Sequence, residues 1–428
     1  MDFFKQLGRF MILGAKAHAQ WEINCSKAIL SNKKQLIILV LLVLFAVFTS
    51  IVLANDSLPK YLGGKEAYTP AFYSIEIFII SIFIGLGAGL ITGCIGAGGG
   101  FIIAPALMSA GVKGILAVGT DLFHIFAKAI MGSIIHRKLG NVSVPLAIVF
   151  MIGAIGGATV GGGINRILYE INPIISDTFI TTIYSLMLGF LGVYALTDFF
   201  NARKGQGRNE AHSQKKESKK VEGTDIGALS KKIQSINIPP MIKFDFDFIR
   251  GGRQISWVFL ALSGAIVGMA AGLMGVGGGF LTFPMFVYML GISSMTTVGT
   301  DIFQIVFTAG YASISQYAIY GFIFYTLAMG MLLGSLIGIQ IGGLVTKVVP
   351  GITIRGFYAM AVMAGFINRI FALPNKLIKI DILPLPKQVG YVLDQIGIWA
   401  FFLCIGGFMV WVIGTFFRNI KKLKGGQE

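Results

Sequence analysis

The chain has 428 residues, of which 55% are hydrophobic and only 13% charged, and its mean hydropathy is +0.78. Soluble domains carry about 25% charged residues, so this composition excludes a soluble globular protein and points to a polytopic membrane protein. The net charge of +16 sits in flanks and linkers, where inner loops of membrane proteins concentrate Lys and Arg; no nucleic-acid partner is expected.

In chain order, residues 1–34 form a basic cytoplasmic segment. Phe3, Phe4, Leu7, Phe10 and Met11 fall near helical spacing, which suits an amphipathic helix on the membrane face, with a basic tail as the alternative. Residues 35–54 are an extra transmembrane helix, long enough for a bilayer core of roughly 30 Å. A polar loop at 55–70 leads into a first transmembrane repeat, 71–200, with pieces at 71–93, 100–110, 115–137, 142–164 and 176–199. A basic cytoplasmic linker, 201–253, is polar at its start and expected to be disordered there. The second repeat, 254–371, has pieces at 255–273, 280–290, 296–318, 323–345 and 352–371. A last transmembrane helix at 392–417 and a basic tail at 418–428 complete the chain.

The two repeats are visible as a duplicated stretch. Gly93, Gly96, Gly98, Gly99, Gly100 and Phe101 match Gly272, Gly275, Gly277, Gly278, Gly279 and Phe280, and Pro105 matches Pro284. After one inserted residue, Gly119, Thr120, Asp121 and Phe123 match Gly299, Thr300, Asp301 and Phe303. Such duplication in a membrane protein marks a transporter built from related halves. Each glycine costs a helix about 1 kcal/mol relative to alanine, so each triple-glycine run breaks a span. The freed backbone groups must then line a cavity or be buried in protein. The short pieces that follow reach only about 16 Å as helix, which leaves open whether they cross or re-enter. The expectation is about eight full spans with two hairpins, or up to roughly twelve segments.

With the N-terminus inside, alternating segments place 26 of the 35 Lys and Arg on the inner side and 8 on the outer. This bias favours cytoplasmic termini and a cytoplasmic linker. The first repeat then starts outside and the second inside. The fold class expected is all-α, a transmembrane helical bundle of two inverted repeats with broken or re-entrant helices.

The paired G-x-x-G-x-G-G-G-F…P and V-G-T-D segments resemble the TauE/SafE family of membrane permeases over roughly residues 70–371, apart from the linker. The resemblance implies movement of sulfite, sulfonates and related small anions. The N-terminal helix and the long linker depart from the shorter family pattern.

Candidate site residues follow from the anion chemistry. Backbone N–H groups at Gly98, Gly99, Gly100, Gly277, Gly278 and Gly279 offer donors to an anion, and glycine lets a ligand approach the backbone. Thr120 and Thr300 are hydroxyl donors if the two helix starts converge, or N-caps together with the adjacent aspartates. Asp121 and Asp301 are candidates for proton coupling, since ionisable groups at membrane depth default to function. Asp121, His124 and Lys128 share one helix face by spacing. Their counterparts are Asp301, Gln304 and Thr308. His124, Gln304 and Lys128 join the substrate set, with an ion pair to Asp121 as the other role for Lys128. His136, beside Arg137 and Lys138, reads as an interfacial anchor, and Thr159 and Gln340 as helix–helix glue. Cys25, Cys94 and Cys404 are far apart, so no disulfide framework, metal site or cofactor is expected.

The glycine runs lack the Gly-Lys-Ser/Thr of a Walker A loop, and neither a nucleophile elbow nor a metal-binding His pair appears. The leading expectation is a secondary transporter of a small sulfur-containing anion in the inner membrane, not an enzyme. The alternatives are an anion channel, or a membrane-embedded enzyme or scaffold without transport. Expected partners are the anion, membrane lipids, a coupling ion (H+ or Na+) and a second copy of the chain as a homodimer.

Overall fold

The computed structural model describes residues 75–95, 100–138, 142–209, 228–244, 252–277, 281–282, 285–292, 294–345 and 348–419, with scattered positions between 20 and 44. Gly98, Gly99, Gly278 and Gly279, most of the extra helix at 35–54 and the tail beyond Asn419 lie outside the described residues. Among the described residues seven helices are long and apolar enough to cross a membrane; the chain is a multi-pass membrane protein.

The first half consists of α1 (Ile75–Ile95), the short α2 (Gly100–Ser109), α3 (Gly114–Lys138), α4 (Val144–Ile171) and α5 (Pro173–Asn209). Asn172 joins the last two. It ends α4 in extended backbone, and its side chain accepts from Ile174 N at 2.8 Å to start α5. Pro173 suits the first helical position because its missing N–H would be unpaired there anyway. Next come α6 (Ala228–Gln234) and the strands β1 (Met241–Phe244) and β2 (Arg253–Ser256). The strands pair antiparallel with Met241 opposite Ser256 and Phe244 opposite Arg253. The second half holds α7 (Trp257–Met274), a π-helical segment (Met285–Leu290), α8 (Ser294–Tyr311), α9 (Tyr325–Val345) and α10 (Gly351–Lys379), and α11 (Lys387–Arg418) follows.

The later part of the linker thus carries a helix and paired strands, and the strands depart from an all-α chain; its polar stretch 210–227 lies outside the described residues. Helix α5 also continues past the expected end at 199, to Asn209.

The halves pack reciprocally. Helix α1 lies along α9, and α4 along α7. A Cβ at Gly85, Gly89 or Gly93 would overlap the carbonyl of Met331, Ser335 or Ile339 in turn. At the matched positions Gly264, Gly268 and Gly272, it would press on the carbonyls of Phe150, Ala154 and Ala158. Both pairs run parallel, glycine every fourth residue, backbone against backbone. In lipid no hydrophobic force joins helices, so such close packing of small residues carries the association.

The corresponding helices α3 and α8 run antiparallel: Gly119 meets Tyr317 and Phe322, and Gly310 meets Phe126. So do α5 and α10, where Gly189 meets Phe366 and Gly356 meets Phe199.

One detail of the second half has a local cause. Counting from Pro105/Pro284 to Thr120/Thr300, and again to Gly153/Gly334, the second half gains one residue at each step. The first extra residue falls at the π-helical segment Met285–Leu290, and the second at a π-helical stretch Ala312–Tyr317 that continues α8. A π-bulge takes up an inserted residue without breaking the span.

Candidate functional site

The two glycine stretches adjoin. Helix α7 ends at Gly275, with φ 80°, and Gly277 has φ 68°; this left-handed backbone is where glycine is favoured. Gly100 opens α2, and a Cβ on it would lie 3.2 Å from Val276 Cα. A Cβ on Gly277 would lie 2.7 Å from the Ile125 side chain of α3. So α2, α3 and the end of α7 meet at one place.

Protein groups satisfy the carbonyls that the break in α7 exposes. Asn165 Nδ2 donates to Leu273 O at 2.9 Å and Gly272 O at 3.2 Å, and reaches the Tyr317 hydroxyl at 3.0 Å. Tyr317 donates to Gly272 O and Tyr184 to Met274 O. An interruption at membrane depth requires such partners, because lipid offers none.

The matched faces of α3 and α8 are both buried and differently satisfied. In α8, Thr308 Oγ1 donates to Gln304 Oε1 at 2.6 Å, and Gln304 Nε2 donates to Asp301 Oδ1 at 2.9 Å. Thr282 also bonds Asp301. In α3, Asp121 Oδ1 stands 3.6 Å from His124 Nδ1, and His124 Nε2 lies 3.3 Å from Ser335 Oγ of α9. Both Asp121 oxygens and His124 Nδ1 lack a hydrogen-bond partner among the described residues, although Asp121 and His124 are 0% and 1% exposed. Lys128 is half-buried and within electrostatic reach of both.

Thr120 and Asp121 do not cap α3, nor do Thr300 and Asp301 cap α8. Each pair lies within its helix, after the starts at Gly114 and Ser294. Each helix runs on through the glycine of its V-G-T-D. The threonines serve the opposite half instead. Thr120 Oγ1 accepts from Phe324 N at 2.9 Å, just before α9, and Thr300 Oγ1 accepts from Ser143 N at 3.0 Å, just before α4. Because α3 and α8 are antiparallel, these two junctions sit at opposite ends of the pair, with roughly 25 Å of helix between Thr300 and Tyr317 beside Thr120. The threonines do not converge on one ligand.

Other side chains enter that the sequence reading passed over. Arg369 is 2% exposed and bonds Asn368 Oδ1 at 2.7 Å, Ser109 Oγ at 2.8 Å and Pro105 O at 3.3 Å. It fastens the end of α2 to α10. Lys376 pairs with Asp177 at 3.2 Å, whose other oxygen accepts from Gly114 N at 2.7 Å. The helix that carries Arg369 and Lys376 continues to Lys379, beyond the expected end at 371. Asn165 was legible as a lone amide at the end of an apolar run. Thr159 and Gln340 are contact residues as expected: Thr159 Oγ1 meets the Tyr311 hydroxyl at 2.8 Å, and Gln340 Nε2 donates to Ile23 O at 3.0 Å. The His136 side chain lies outside the described residues.

Comparison with known proteins bears on this arrangement. The chain is 23% identical over 282 residues to "Probable membrane transporter protein YunE" of Bacillus subtilis, covering 63% of this chain and 89% of that protein. It is 24% identical over 272 residues to "Probable membrane transporter protein YjnA" of the same organism, again covering 63% and 89%. A "Probable membrane transporter protein" of Xylella fastidiosa is 23% identical over 278 residues, with 64% and 85% covered. No solved structure matches the chain. The family profile described as "Sulfite exporter TauE/SafE" matches residues 81–368, which takes in both glycine stretches and the α3 and α8 faces, and so this chain belongs to the TauE/SafE family.

Proposed function

We propose that the protein is a secondary transporter of a small sulfur-containing anion, such as sulfite, sulfate, thiosulfate or a sulfonate. It works by alternating access around a site between two halves inverted relative to the membrane. The observation that carries this reading is the meeting of the two glycine stretches, Gly100 against Val276, beside the buried face of α3. The first turn of α2 presents backbone N–H groups and the positive end of a helix dipole there, the usual means of holding an anion. The sulfur chemistry rests on the family's description.

Inversion is supported by the antiparallel pairing of α3 with α8 and α5 with α10, together with reciprocal glycine contacts. A two-fold axis lying in the membrane plane produces that pattern. The Lys and Arg bias supports a cytoplasmic linker and cytoplasmic termini, and the membrane in this reading is the inner one. Asp121 and Asp301 are the candidate carriers of a coupling H+, or ligands of Na+.

The test is uptake into vesicles of purified protein, with labelled sulfite, sulfate, thiosulfate and taurine as probes. Saturable uptake with counterflow is expected for at least one. Unsaturable flux without exchange would make it a channel, and conversion without movement an enzyme; either overturns the reading, as does no flux of any probe. For the transported anion, Lys128→Ala is expected to raise the half-saturation concentration about tenfold, the loss of one countercharge. An unchanged value assigns Lys128 to its neighbours Asp121 and His124 alone.

A further inference from the structure

The stretch that joins the halves folds back onto the second half. Gln234 Nε2 of α6 donates to the Leu290 carbonyl at 2.6 Å, and Arg253 Nη1 of β2 donates to the Gly291 carbonyl at 2.7 Å. These carbonyls end the π-helical segment, where Gly291 turns away with φ 71°. Ile233, Phe244 and Ile255 of the connecting stretch share a buried apolar cluster with Phe286, Leu290 and Ile292 of that segment. Phe286 in turn packs edge-on against Phe150 of α4, with ring centroids 4.7 Å apart. Strand β2 runs without a break into α7, whose N-cap is Ser256.

The first half is built differently at the matched place. The end of α2 is fastened by Arg369, which belongs to the spanning helix α10. An arginine thus holds each short segment, Arg369 on Pro105 O and the Ser109 hydroxyl in the first half and Arg253 on Gly291 O in the second, and Arg253 comes from a strand rather than a spanning helix. Gln234 and Arg253 are half-buried, and Ile233, Phe244 and Ile255 beside them are buried, so that end is held from the connecting stretch. Release would free the segment that follows the second glycine stretch.

We propose that α6 and the β1–β2 hairpin form an inner gate, with Gln234 and Arg253 as the positioning residues that seat the short segment of the second half. The gate rests on the transport reading, since it closes the route from the linker face to the site between the glycine stretches.

The experiment uses the full chain with Cys25, Cys94 and Cys404 changed to serine. Ile292→Cys places a reporter where the side chain is 2% exposed, and a membrane-impermeant maleimide is applied from the linker face. Adding Gln234→Ala and Arg253→Ala is expected to speed labelling about tenfold, as loss of two hydrogen bonds at a closed junction would; an unchanged rate overturns the gate. If the reporter chain does not fold, Gln234→Cys with Leu290→Cys is cross-linked by a reducible bis-methanethiosulfonate. Counterflow of radiolabelled sulfite, or of whichever panel anion moves, is expected to stop and to return on reduction. Counterflow that continues through the cross-link overturns the gate. Faster labelling in a protein that moves no anion supports the gate and removes the transport reading. Anion flux with neither response removes the gate alone.

Discussion

Gly157→Leu will destabilise the protein by about 3 kcal/mol or more, whereas Gly156→Leu, one residue earlier, will be neutral or slightly stabilising. A Cβ at Gly157 would overlap the Ala265 carbonyl and crowd Met269 N, 2.7 Å away. Both obstacles are backbone, and α7 cannot yield at one turn without lifting from α4 along its length. At Gly156 a Cβ would meet nothing within 4 Å, and leucine is the better helix former. Thermal unfolding in mild detergent, followed by tryptophan fluorescence, measures both. Gly338→Leu, at the counterpart position against Leu86, is expected to match Gly157→Leu. Equal melting temperatures for Gly156→Leu and Gly157→Leu would show that the close helix approach is not what holds the halves together.

That pairing of halves was only partly legible in the sequence. The duplicated glycines announced two related units, and the charge bias suggested their opposite directions. Neither could say that the first helix of one half lies on the fourth helix of the other. Glycine spaced every fourth residue marks a smooth helix face, but a face does not name its partner. Of the linker's polar start, residues 201–209 continue α5 and 210–227 lie outside the described residues. Farther on, Ile233 and Phe244 of the linker and Ile255 just after it have apolar surface to bury, and the fold supplies Phe286 and Leu290 to cover them. The two π-helical segments could be located in hindsight from the one-residue slips between the repeats, since an inserted residue in a buried span has few other ways to be accommodated.

At the site, the residue types were legible and their grouping was not. The spacing of Asp121, His124 and Lys128 put them on one face, and they lie together. The threonines next to the aspartates were expected to cap helices or face a shared ligand. They bond instead to Phe324 N and Ser143 N across the half interface. A hydroxyl's partner depends on which helix start passes by, and no local pattern encodes that. Arg369 falls near the end of the expected piece 352–371, where a charge usually reaches the membrane surface, yet it is buried. Its burial is tolerable because Ser109, Asn368 and Pro105 O accept its donors.

Asp121→Asn will slow transport at least about tenfold, equivalent to roughly 1.4 kcal/mol on the barrier, and will flatten its pH profile. Asp301→Asn will do less. The two aspartates are matched in sequence but not in surroundings. Gln304 and Thr282 bond Asp301, and an asparagine there keeps a carbonyl oxygen for Gln304 to donate to. Among the described residues neither Asp121 oxygen is hydrogen-bonded, and its charged and titratable neighbours there are His124 at 3.6 Å, Lys128 and Tyr184. A buried carboxyl without fixed donors has the least to hold its charge in place, so its proton is the one that can exchange when the site changes face. His124→Gln supplies a separate check by giving α3 the amide that α8 carries. It is expected to leave the protein folded and to move the pH profile toward that of Asp121→Asn, because a glutamine amide would now donate to Asp121. Uptake measured from vesicles at graded external pH reads all three variants. A flattened profile in Asp301→Asn with an unaltered one in Asp121→Asn would transfer the coupling role to the second half. Unaltered profiles in both would remove protons at these carboxylates from the transport cycle.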